Sequence, residues 1–71
     1  MDLQKQLKQD NELINCLWQI FKQAQIDRDW DTALDRFSKI AAASDFGLDM
    51  VMAMLKELEQ REKERLNALN G

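Results

Sequence analysis

No proline interrupts this sequence, and Gly47 is the only glycine away from the end of the chain. Proline and glycine are the residues that most often break helices, and runs of β-branched residues, which favour strands, are almost missing as well. The sequence therefore predicts a protein that is nearly all helix.

Hydrophobic spacing divides that helix into three. The first is expected over about residues 2–25, with Leu3, Leu7, Asp10, Ile14, Leu17, Phe21 and Ala24 at the 4-3-4-3 spacing of a coiled-coil seam. Asp10 is the one polar member. From Leu13 onward the stripe widens to take in Trp18 and Ile20, so the first half should overhang and the second half should be core. Asp27, Asp29 and Asp31 then break the pattern; aspartate accepts hydrogen bonds from free amides at a helix start and suits the positive end of the dipole. A second helix of period 3.6 is expected over 30–43, burying Trp30, Ala33, Leu34, Phe37, Ile40 and Ala41. The stretch Ser44-Asp45-Phe46-Gly47 should end it, with Gly47 available for a left-handed turn. The third helix is expected from residue 48 or 49 to 69 on a seam of Leu48, Val51, Leu55 and Leu58, continued by Glu62, Arg65 and Leu69. Beyond Leu58 its surface is densely charged, and Glu57 with Arg61 and Glu59 with Lys63 are spaced one turn apart in the favourable order.

The expected lengths do not match. At about 1.5 Å per residue the outer helices span roughly 33–36 Å and the middle one about 21 Å. The predicted fold is a single all-α domain over 1–71, three helices up-down-up, with opposite ends of the outer helices protruding. Seventy-one residues bury only about 60 % of the unfolded surface and supply roughly 3–5 kcal/mol from one core. Small domains compensate with disulfides, a metal or association. A lone cysteine, Cys16, cannot close an internal disulfide, and the chain has no histidine to share a metal with it. Association remains, and a homodimer that completes the bundle is the economical arrangement.

Several chemistries find no support. The ladder Asp27, Asp29, Asp31 has the first ligands of a calcium loop, but Thr32 stands where that loop needs glycine and Ser38 where it needs glutamate; helix capping is its expected role. Cys16 has neither a histidine nor a close cation to form a thiolate, and reads as a partly buried, inert thiol. Carboxylates stand mostly beside lysine or arginine, and no phosphate loop, dinucleotide fingerprint or zinc spacing occurs. No enzymatic activity, cofactor or metal is expected. Ten basic against thirteen acidic residues give a net charge of −3, which disfavours nucleic acid and anionic membrane. Without a leader-like segment or a long apolar run, the expected location is cytoplasmic.

What the sequence offers in excess is apolar surface. Met50, Val51, Met52, Met54, Leu55 and Leu58 crowd the third helix, beside the wide stripe of the first. Met50 and Met54, one turn apart, form a ridge next to the seam that suits either core filling or an adaptable contact with another chain. The expected contact set is Leu7, Ile14, Trp18, Phe21, Met50, Met54 and Leu58. Two local likenesses bear on it. Residues 47–59 resemble the recognition-helix end of winged helix-turn-helix regulators at Val51 and at Leu55-Lys56-Glu57-Leu58-Glu59. Where that family reads bases, Asp49, Met50 and Met52 stand here, so the likeness implies a dimerisation helix and no direct DNA reading. Residues 17–40 resemble one tetratricopeptide-like hairpin at Leu17, Ile20, Ala24, Trp30, Ala33 and Phe37, departing from it at Phe21 and Asp45. That likeness implies a tight helical hairpin and partner binding, without membership of the family. The sequence thus points to a self-associating protein–protein interaction module, an adaptor, inhibitor or regulatory subunit. The alternative is a dimeric nucleic-acid-associated regulator presenting Lys5, Lys8 and Lys22, or Arg61 and Arg65.

Overall fold

A computed structural model of the chain describes residues 2–70 and consists of α1 (Leu3–Asp27), α2 (Trp30–Ala43) and α3 (Asp45–Asn70), with no strand among the described residues. Met1 and Gly71, inside the domain predicted over 1–71, lie outside the described residues. Each helix start has a local cause. Asp2 caps α1, its carboxylate accepting the Gln4 and Lys5 amides at 3.0 and 3.4 Å. Asp29 caps α2, accepting both the amide and the hydroxyl of Thr32 at 3.2 and 2.7 Å. Caps of this kind contribute about 1 kcal/mol each. The aspartate ladder therefore divides its work: Asp29 starts α2, Asp31 sits in its first turn, and Asp27 closes α1 by accepting the Asp29 amide at 2.9 Å.

α1 runs two residues beyond its expected end because Arg28 adopts the left-handed conformation, φ 56°, and returns its amide to the Ala24 carbonyl at 2.9 Å. Gly47, expected to supply such a turn, does not. It lies inside α3 with a negative φ, and α3 begins at Asp45. Ser44 explains the early start: its hydroxyl accepts the Gly47 amide at 2.9 Å and its carbonyl the Leu48 amide at 3.0 Å. Glycine is required at 47 for space instead. A Cβ there would stand 2.6 Å from the Ile40 carbonyl oxygen, so the end of α2 and the start of α3 pass with almost nothing between them.

The core is Leu17, Ile20, Phe21 and Ala24 of α1, Ala33 and Phe37 of α2, and Val51 and Leu58 of α3. Leu13, Trp30, Ile40, Ala41, Met50, Met54 and Leu55 pack half-buried around it. All three pairs of helices touch, α2 against α3 most extensively. Three expectations need correction. Leu34 and Leu48 are exposed, because each stands about 100° round its helix from a buried neighbour, Ala33 in α2 and Gly47 in α3. Cys16 is likewise exposed, one step round α1 from fully buried Leu17. The Glu57–Arg61 pair forms at 2.9 Å, whereas no ion pair joins Glu59 to Lys63 among the described residues.

The molecule measures 53 × 18 × 18 Å, and its radius of gyration of 14.2 Å exceeds the roughly 11 Å of a compact chain of this length. No described helix is long and apolar enough to cross a membrane.

The Asp27 closure makes a pH prediction. Its carboxyl is held below the usual carboxylate value, first by the Asp29 amide and then by the Gln23 side chain at 3.1 Å. A lowered folded pKa means that ionised Asp27 favours the folded state. The contribution is complete above about pH 4 and is lost as pH falls through the lowered value. Asp27→Ala should therefore lower the urea midpoint at pH 7 and lower it less at pH 3. Equal losses at both values would show that the ionised closure contributes nothing.

Candidate interaction surfaces

Two apolar surfaces stand outside the core. The first is a stripe along α1: Leu3, Leu7, Ile14 and Trp18, of which Leu7 is 55 % and Trp18 51 % exposed. At about 100° per residue these four fall within roughly 60° of one another, rotated away from the direction taken by Leu17, Ile20 and Ala24. Asp10 lies in the same stripe, half-buried, its carboxylate accepting the Gln6 side-chain amide at 3.1 Å. Where the stripe reaches the body of the molecule, the Trp18 and Phe21 rings meet with centroids 6.1 Å apart. Arg61 of α3 lies 4.9 Å above the Phe21 ring and donates to the Gln25 side chain at 3.1 Å, which ties α3 to α1 at this point.

The second surface is an open groove of about 710 Å³ between α2 and α3. Trp30, Ala33 and Leu34 form one wall, Leu55, Leu58 and Leu66 the other, and Glu59, Glu62 and Lys63 edge it. Leu55 and Leu66 are eleven residues, or about three turns, apart and so line one side of α3. The spacing is present in the sequence, but a helical period that places Leu34 in the core, and a seam that passes through Arg65 beside Leu66, conceal the groove.

The expected contact residues divide between these surroundings. Leu7, Ile14 and Trp18 are exposed on the stripe; Met50 and Met54 are half-buried against the core; Phe21 and Leu58 are buried within it. Leu58 also lines the groove.

Three of the arginines are engaged by neighbouring groups. Beside the groove, a cleft of about 230 Å³ brings together Arg28, Arg61 and Arg65. Arg28 donates to the Gln25 carbonyl at 3.2 Å, Arg61 to Glu57 at 2.9 Å, and Arg65 to Glu62 at 3.2 Å through Nε. The last bond holds the Glu62 carboxyl below, and the Arg65 guanidinium above, its ordinary value. Arg61 and Arg65 thus face carboxylates of their own helix, whereas Lys5, Lys8 and Lys22, the other basic set read from sequence, enter no ion pair among the described residues. Among the described residues there is also no group of three or more residues placed to hold a metal ion.

No protein-family model, curated protein or solved structure matches this chain. Its function has to be argued from the two surfaces.

Proposed function

We propose that this chain is a self-associating helical protein–protein interaction module, a homodimer acting as an adaptor, inhibitor or small regulatory subunit, without catalytic activity. We read its helices as an up-down-up arrangement. Links of only two residues, Arg28-Asp29, and one, Ser44, favour antiparallel neighbours. The 53 Å length is close to that of a shared three-helix segment plus an overhang of α1 at one end and of α3 at the other.

The observation that carries the proposal is the ordered apolar stripe on α1. Single exposed leucines are ordinary, but four large apolar side chains on one face of one helix form a surface that water disfavours. The groove between α2 and α3 adds a second surface of the kind that accepts an amphipathic helix of another protein. A cytoplasmic setting belongs to the same proposal, in keeping with an exposed, unpaired thiol at Cys16.

Light scattering over a hundredfold concentration range tests the self-association. The expected absolute mass is twice the 8.3 kDa of one chain. A cooperatively folded monomer at tens of micromolar would overturn it.

A further inference from the structure

We infer that the N-terminal half of α1 pairs with the same segment of a second copy, antiparallel, about a two-fold axis between Leu7 and Asp10. This deepens, and rests on, the self-association proposed above.

Area argues for a second copy. A compact monomer of 8.3 kDa exposes about 4,600 Å², and this chain exposes 5545 Å². The excess of about 950 Å² is close to the roughly 800 Å² that each partner contributes to a stable interface. The overhanging part of α1 contributes to it: its stripe residues Leu3 and Leu7 are 68 % and 55 % exposed although the helix is regular there.

Pattern argues for self-pairing and for its direction. Leu3 and Ile14 stand eleven residues apart, about 16 Å, with Leu7 and Asp10 between them. Antiparallel pairing about the middle of that interval sets Leu3 of each copy level with Ile14 of the other, and Leu7 level with Asp10. Gln4, Gln6 and Asn11 flank the stripe, so no charge on its edges opposes a second copy. Lys5 and Glu12 lie on the opposite side of the helix. An isologous contact of this kind uses the same stripe on both copies and closes at two. It leaves the groove between α2 and α3 free on each copy. Asp10 is then the polar member of an otherwise apolar seam, fixing register while weakening the pair.

Mass as a function of concentration, measured on variants, tests this. Leu7→Glu is expected to raise the dimer dissociation constant at least about a hundredfold with helicity unchanged, because Leu7 lies outside the core. Asp10→Leu should tighten the dimer roughly tenfold, and Leu66→Glu, in the groove, should leave it unaltered. A wild-type dimer that survives Leu7→Glu, whether or not Leu66→Glu dissociates it, overturns the stripe as interface while self-association stands. A wild-type monomer at every concentration overturns both. Direction is read separately, by oxidising a chain carrying Cys16→Ser and Leu3→Cys. Antiparallel pairing holds the two introduced thiols too far apart for a disulfide between copies. Quantitative cross-linking would mean parallel pairing and overturn the inference.

Discussion

Phe37→Ala is expected to leave the chain largely unfolded at 25 °C. Phe37 is 1 % exposed, at the middle of α2, and together with Leu17 it is the largest side chain enclosed completely. It belongs to one core cluster with Leu17, Ile20, Phe21 and Ala24 of α1 and Val51 and Leu58 of α3. Truncating a buried phenylalanine costs about 3–5 kcal/mol, in transfer free energy and in the cavity left behind. A single core of this size supplies roughly the same amount, and no buried charged or polar side chain is present among the described residues to be released in compensation. Far-UV circular dichroism with thermal melting gives the reading. Association adds stability by mass action, so the melt should be taken at several concentrations. A variant that keeps native helicity and a midpoint within a few degrees of the parent would show that the three helices do not depend on this side chain.

Gly47→Ala should also destabilise, against the usual sign for a helix interior. Alanine has the higher helix propensity by about 1 kcal/mol, and the negative φ at Gly47 would accept it. Space decides otherwise. The new methyl would stand 2.6 Å from the Ile40 carbonyl oxygen and 3.3 Å from the Ile40 Cγ2. The closer neighbour is backbone and cannot rotate away, so α2 and α3 must separate where they cross. Overpacking of this order costs about 1–3 kcal/mol, leaving a net loss on the order of 1 kcal/mol, read as a lower urea midpoint. Adding Ile40→Val should not restore it, since the carbonyl remains. A raised midpoint would mean that the crossing opens without penalty.

These two positions show what is legible in the sequence. Phe37 can be read because Ala33, Phe37 and Ala41 recur at the helical period, with Phe37 at the middle of a short helix. The overhanging first half of α1 is readable too, since its stripe is narrow before Leu13 and wide after it. Gly47 misleads because glycine serves two purposes, a left-handed turn and a close approach, and composition does not tell them apart. The turn goes to Arg28 instead, a residue with no intrinsic preference for that conformation, placed there by the Asp27 and Asp29 bonds on either side of it. Leu34 reads as core because a three-residue apolar spacing does not reveal which side of α2 its neighbours occupy. The groove is hidden for the same reason. It is made by two helices together, and its α3 wall, Leu55 to Leu66, continues past the point where the apolar pattern becomes charged.

The close crossing at Gly47 also makes α3 a lever. Its near end is pinned against Ile40 by a contact with no slack and joined to α2 through the single residue Ser44. Its far end, Leu69, lies about 33 Å further along the helix. A change of about 10° in the crossing angle would carry that end roughly 6 Å, widening or narrowing the groove beneath Leu66 while the backbone near Gly47 scarcely moved. The core contacts of Val51 and Leu58 and the Arg61 contacts with α1 resist such a swing, so the close crossing and the core together set the width of the groove.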